Sequence, residues 1–305
     1  MSGRTLWTGF LVALAGLALL PFGVGGYVLG LMTLAYYYGV FAMAWDLLFG
    51  FAGEVNFGPS FLTGLGAYAA GLLNHYAGWP IPACVAAGAA AAVVGGVALA
   101  VPALRLSGPY FGLITLVAVL LLQNALVLNA GFTGGEIGLD LPDVLSADES
   151  TNYWIALAFM GLSGAILFGL SRSAVGLILQ ASGQDAVEAS ALGYNVTKHK
   201  LAAFCISALF SGLAGAMLVF YLGTASVGTV VDIAVGVQVI IAAVLGGRRT
   251  ILGAAIGAIF LIVAGELLRP LGQLSTFVVS AFALAVILFF PGGFLGILSS
   301  RGGAR

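Results

Sequence analysis

Few side chains in this 305-residue sequence could do chemistry, and their spacing argues against most catalytic arrangements. His75 and His199 are the two histidines, Cys84 and Cys205 the two cysteines, and no H-E-x-x-H or C-x-x-C connects them. Both cysteines lie in apolar runs, where a free thiol behaves as a small hydrophobe. Neither a disulfide nor a metal site is expected, and no catalytic residue is assigned. The two lysines fall together in Thr197-Lys198-His199-Lys200, and G-x-x-x-x-G-K-[ST] does not occur. The chain therefore lacks a P-loop for ATP. Four acids, Asp46, Glu54, Asp232 and Glu266, lie within or beside apolar runs. Ionisable groups at such places are functional suspects, although all four could reach an interface. Tyr36, Tyr37 and Tyr38 put three hydroxyls in one run, where packing is the expected role.

The elements that must hold these residues follow from composition. Hydrophobic residues make up 61% of the chain and charged residues 7%, with net charge −1. Soluble domains carry about 25% charge, so a soluble enzyme and a disordered chain are excluded. A nucleic-acid binder is excluded as well, because no basic face exists for a phosphate backbone. Spans are read near 6–23, 27–46, 56–75, 82–103, 110–129, 153–170, 200–222, 233–247, 250–268 and 274–291, all but 233–247 close to the roughly 20 residues that cross a bilayer. The first run is read as a retained span, since no small-x-small cleavage site follows Leu20-Pro21. The span at 233–247 is short, and 224–232 reads as a partial helix beside it.

With the amino terminus inside, Arg4, Arg105, Arg172, Lys198, Lys200, Arg248, Arg249, Arg301 and Arg305 share the cytoplasmic side, and only Arg269 falls outside. That bias is what the positive-inside rule requires. The outer loop 130–152 carries Glu136, Asp140, Asp143, Asp148 and Glu149. Trp7, Trp45, Trp79 and Trp154 fall near span ends, as an interfacial aromatic belt does. The expected fold is an all-α polytopic bundle of about ten spans, N-in and C-in, forming one membrane domain over 1–305 with at least one broken helix. The 46 glycines let helices approach closely in lipid; Gly26-x-x-x-Gly30, Gly253-x-x-x-Gly257 and Ala86 to Ala100 fit that use.

Four places depart from simple spans. Residues 51–61, FAGEVNFGPSF, contain helix breakers and read either as an unwound segment lining a transport pathway or as a tight interfacial turn. Residues 131–143, GFTGGEIGLDLPD, read equally as an outer docking surface or a solvated loop. In the cytoplasmic loop 172–199, Ser182 through Asp185 fits a capping box, starting a short helix through Leu192 that Gly193 ends. Such a small, weakly acidic helix reads either as suiting a groove in a partner protein or as a plain loop helix. Residues 244–254 form a short inner turn in which Arg248 and Arg249 act as orientation anchors.

These motifs together resemble the permease subunits of branched-chain amino acid ABC importers, the LivH/LivM family, and more the LivM type. The resemblance runs over roughly residues 27–298. It is carried by Gly53-Glu54-Val55-Asn56-Phe57-Gly58 with Phe61 and Gly66-Ala67-Tyr68, and by Leu104-Arg105-Leu106-Ser107-Gly108-Pro109-Tyr110-Phe111. Thr133-Gly134-Gly135 with Gly138 adds to it. So do Glu188, Ala191, Leu192, Gly193 and Asn195 within 186–196, Gly246-Gly247 with Gly253, and Phe290-Pro291-Gly292 through Gly296. Two departures stand out. Ser182, Gly183 and Gln184 replace the family's usual Arg and acidic pair, and Glu54-Val55-Asn56 replaces a more usual Gln-Val-Ser.

The resemblance implies a multi-pass subunit of the bacterial inner membrane, paired with a related permease. Two cytoplasmic ATPase subunits would bind the ATP and Mg, with no cofactor in this chain, and a periplasmic binding protein would deliver a small amino acid-like solute. The helix at 183–193 would be the coupling helix, with Gln184, Asp185, Glu188, Ala191, Leu192 and Gly193 meeting the ATPase. Asn56, Phe57, Ser60, Thr63 and Gln238 are the expected pathway residues, in spans around 53–66 and 238–257 that open alternately to the two sides. The rival readings are a proton- or sodium-coupled secondary transporter, in which Glu54, Asp232 or Glu266 is essential, and a non-transporting scaffold.

Overall fold

A computed structural model of the protein describes residues 3–106 and 109–272, with residues 274, 277, 278, 281, 284 and 293. Most of the expected tenth span, Arg301, Arg305, Ser107, Gly108 and, apart from Gly293, the Phe290-Pro291-Gly292 motif through Gly296 lie outside the described residues. The described residues are mostly helical. In order the helices are α1 (Gly3–Ala18), α2 (Gly26–Asp46), α3 (Pro59–Ala77), α4 (Ile81–Ala103), α5 (Pro109–Leu128), α6 (Ala130–Thr133), α7 (Glu149–Arg172), α8 (Ala174–Gln184), α9 (Ala186–Ala191), α10 (Val196–Leu222), α11 (Val227–Val230), α12 (Ile233–Gly246) and α13 (Leu252–Leu267). Two short strands, β1 (Leu139–Asp140) and β2 (Thr224–Ala225), pair antiparallel.

Among the described residues six helical stretches are long and apolar enough to cross a membrane: Gly26–Ala52, Ile81–Ala103, Pro109–Leu128, Glu149–Arg172, Val196–Leu222 and Val227–Gly246. The apolar stretches Val12–Phe22 and Leu252–Leu267 are shorter. The all-α polytopic class therefore holds.

The chain divides into two compact units. One comprises Ala44–Leu145 with Gly169–Ile240, the other Met1–Met43 with Ser146–Phe168 and Ile241–Arg305. In the first unit α3, α4 and α10 pack through a seam of small residues. A Cβ on Gly66 would lie 2.5 Å from the Gly212 Cα, and one on Gly96 would lie 2.9 Å from the Ala208 Cβ. Here glycine allows the close backbone approach that holds helices together without a hydrophobic drive between them. Along α5, Phe111, Thr115, Ala118 and Val119 are buried while Leu113, Val117, Leu120 and Leu121 are exposed. A continuous apolar outer face of this kind suits lipid rather than water.

The loops of this unit gather at two ends. At one, residues 51–57 meet 182–184 and 200. At the other, Asn74 Nδ2 donates to Asp143 Oδ2 at 2.8 Å, Tyr76 stacks on Phe132, and the β1–β2 ladder closes 139–140 against 224–225. The 131–143 loop is thus tied down by hydrogen bonds and a two-residue ladder. Trp45 departs from the expected aromatic belt. It is buried, stacked on Phe49, and its Nε1 donates to the Asn56 carbonyl at 2.6 Å.

In the second unit the tyrosines pack as expected. Tyr36 and Tyr153 share a hydrogen bond of 2.7 Å and meet edge to face, and Tyr153 donates to the Leu17 carbonyl. Gly253 and Gly257 do provide a close approach: a Cβ on Gly253 would lie 2.5 Å from the Gly246 carbonyl oxygen. Gly26 does not, since a Cβ there would meet only Glu149 Cγ at an ordinary 3.7 Å. The turn before α13 is strained, with the β-branched Ile251 at φ 47° and Arg249 at φ 65°. Glu266 accepts from the Tyr27 hydroxyl and, at 3.1 Å, from Arg269.

Candidate functional site: an interrupted span and the helix beyond it

The segment after Leu222 explains the short span read at 233–247. Gly223, at φ 72°, ends α10, and β2 then leads into α11. Helix α11 stops at Val230, and Val231 and Asp232 separate it from α12. The Asp232 carboxylate accepts from the Ala234 amide at 2.7 Å, a local cap that starts α12. A stretch of membrane-crossing length is therefore broken in two. Freed backbone groups need partners, because lipid supplies none. Thr63 on α3 meets that need: its hydroxyl reaches the Val230 carbonyl at 2.9 Å and its own Ser60 carbonyl at 3.1 Å. One turn earlier Ser60 faces Gly236, where a Cβ would come 3.3 Å from the Ser60 Oγ. That oxygen is buried and makes no hydrogen bond among the described residues. An interrupted helix beside buried hydroxyls can offer backbone and side-chain groups to a polar solute.

The early motif occupies one end of the unit. After α2 the chain makes a π-helical turn, Leu47–Ala52, and reverses at Gly53, whose φ of 73° is the left-handed region that glycine tolerates. The backbone here is satisfied by protein: Glu54 N donates to the Leu48 carbonyl at 3.1 Å, Phe57 N to Thr115 Oγ1 at 3.0 Å, and Gly58 N to Asn56 Oδ1 at 2.8 Å. Asn56 therefore organises the loop ahead of α3. Phe57 packs against Gly112 and lines a cavity of about 500 Å³ with Glu54, Val55, Ser182 and Lys200. Gln238 lies on an exposed face of α12, about 200° round the helix from Gly236 at roughly 100° per residue. The structure thus brings Ser60 and Thr63 to the break, and Asn56, Phe57 and Gln238 elsewhere.

The expected capping box at Ser182 is not the cap. Ser182 is buried near the end of α8, and the cap is Asp185, whose Oδ1 accepts from Val187 N at 2.8 Å and Glu188 N at 3.0 Å. Helix α9 follows, and Gly193 at φ 90° turns the chain out of it. Asn195 Oδ1 then caps α10 by accepting from Lys198 N at 3.0 Å. Ala189 is buried, whereas Val187 is 79% and Leu192 76% exposed, with Gln184, Asp185, Glu188, Ala191 and Gly193 also exposed. A short helix held by its own caps thus turns two large apolar residues outward.

Two features escaped the sequence reading. One is the pairing of Thr63 with the break, because the residues lie 167 positions apart. The other is the ion pair between Glu54 and Lys200, with Nζ 2.5 Å from Oε1. The only local signal was Asp232 two residues before Ala234, the spacing of a side-chain cap. No group of three or more metal-ligating side chains occurs among the described residues.

Six apolar helical stretches of membrane-crossing length among the described residues are those of a multi-pass membrane protein. The chain belongs to the family of permease components of branched-chain amino acid transport systems, whose model matches residues 27–291. It is 28% identical to the high-affinity branched-chain amino acid transport system permease protein LivM of Escherichia coli K12, over 94% of this chain and 74% of that protein. It is 26% identical to the corresponding BraD of Pseudomonas aeruginosa and 27% identical to LivH of Escherichia coli K12, in each case over 87% of this chain and 93% of the relative. No solved structure matches it significantly.

Proposed function

We propose that the chain is the transmembrane subunit of an ATP-binding-cassette importer in the bacterial inner membrane. It moves a small amino acid-like solute by alternating access, and separate ATPase subunits bind the ATP and Mg. A second, related permease and a periplasmic binding protein complete the assembly. About ten spans with both termini in the cytoplasm place α9 on the ATPase side. The observation that carries this reading is α9 itself, rigidly capped by Asp185 yet presenting Val187 and Leu192 outward. Gln184, Asp185, Glu188, Ala191, Leu192 and Gly193 form the contact surface for the ATPase. Ser60 and Thr63 serve the solute pathway at the helix break, with Asn56 and Phe57 governing access from the α9 end and Gln238 acting from α12. Solute affinity must differ between the two access states, or no work is transmitted.

The test is co-purification of the detergent-solubilised chain with co-expressed candidate ATPase subunits. Deleting residues 183–193 should abolish the association while the remaining bundle still elutes as a folded species. Retained ATPase binding after the deletion, or uptake that collapses with a protonophore at constant ATP, would overturn the reading.

A further inference from the structure

The segment carrying α9 returns to the early motif at both of its ends. On the near side Gly183, just before the Asp185 cap, lies against Gly53. A Cβ on Gly53 would sit 2.8 Å from the Gly183 carbonyl oxygen, and one on Gly183 would sit 2.6 Å from the Phe51 carbonyl oxygen. On the far side Lys200, in the first turns of α10, pairs with Glu54 at 2.5 Å. Consecutive residues, Gly53 and Glu54, thus receive both ends of the arc.

The two contacts differ in physics and complement one another. Two backbones touching without intervening side chains cannot be compressed, so a displacement of the α8 end pushes directly on residues 51–53. The ion pair works in the opposite sense and resists separation. Its side chains are only 15% (Lys200) and 19% (Glu54) exposed, so its attraction is screened less than that of a surface pair. From Glu54 the connection continues through bonds already described. Asn56 ties the loop to Trp45 and to the first residue before α3, and Thr63, on the first turns of α3, holds the Val230 carbonyl at the break. The cavity beside Glu54 and Lys200 leaves room on one side of the joint.

We propose that the Gly53–Gly183 contact and the Glu54–Lys200 pair form a push–pull joint that carries movement of α9 to the interrupted span. Glu54 and Lys200 are positioning residues: they act on the pathway through α3. The inference rests on the reading of α9 as the ATPase docking helix.

The experiment uses the chain assembled with its ATPase subunits, with and without Mg–AMP-PNP, and follows amide hydrogen exchange of residues 231–236. In the wild type, nucleotide should change exchange at the break by about fivefold or more, the lower end of ordinary coupling between sites. Glu54→Gln and Lys200→Gln should each reduce that change to less than half, with ATPase association and basal hydrolysis unaltered. The exchanged pair, Glu54→Lys with Lys200→Glu, should restore it. Single variants that keep the full nucleotide response would overturn the joint, as would a wild-type complex with no response at 231–236. Variants that lose assembly and hydrolysis together, unrescued by the exchange, would reduce the pair to a structural role and overturn it equally. Absence of any bound ATPase, by contrast, removes the docking reading beneath it.

Discussion

Replacing Thr63 with valine keeps nearly the same shape and removes one hydroxyl. In the native chain that hydroxyl holds the Val230 carbonyl at 2.9 Å, where α11 has ended and α12 has not begun. Leaving a buried acceptor unpaired costs about 1–3 kcal/mol in proteins generally. Side-chain hydrogen bonds between membrane helices average nearer 0.6 kcal/mol and reach about 1.7 kcal/mol, because alternative partners exist in the bilayer. Here the acceptor is a helix-end carbonyl inside the bundle, with Thr63 and Val230 both buried. The cost should therefore approach the upper membrane value, about 1–2 kcal/mol, which is a factor of roughly 5–30 in local opening. Amide exchange of residues 231–236 in detergent micelles should quicken by that factor in Thr63→Val. Thr63→Ser, which keeps the hydroxyl, should remain within about twofold of wild type, since small changes elsewhere fall near 0.5 kcal/mol. The two variants separate the hydrogen bond from the packing of the methyl group. Equal exchange in wild type, Thr63→Val and Thr63→Ser would refute the claim that this hydroxyl stabilises the break.

Two further expectations concern helix packing and the start of α7. Gly66→Ala forces a Cβ to within 2.5 Å of the Gly212 Cα, so α3 and α10 must separate and thermal stability in detergent should fall by about 1–3 kcal/mol, whereas Gly265→Ala, with nothing within 4 Å, should leave it unchanged or raised. Asp148 accepts from the side chain and backbone of Thr151 at the start of α7, and these bonds hold its carboxyl below the ordinary value of 3.8. A depressed folded value means the stabilisation is complete above pH 3.8 and disappears as pH falls through the lower folded value. The Thr151 amide resonance should shift only in that acidic window, and Asp148→Ala should show the uncapped position at every pH.

Composition and one-dimensional pattern determined the class of this protein. A chain with 61% hydrophobic and 7% charged residues has to form helices in lipid, because each helix satisfies its own backbone. The same local rules placed α9, with Gly193 ending it, and marked 224–232 as a partial helix. They misplaced the cap by three residues, since Ser182 and Asp185 are both capping types and only burial chose between them: α8 continues through Ser182 and takes it inside. Trp45 departs from an interfacial belt for a similar reason. Its type suits a belt, but a carbonyl freed at Asn56 needed a donor, and the ring turned inward. Tertiary structure alone decided which distant residues met. The hydroxyl of Thr63 and the carbonyl of Val230, like the charges of Glu54 and Lys200, are joined by helix packing that depends on where glycines let backbones touch. That three-dimensional fit has no periodicity along the chain to announce it.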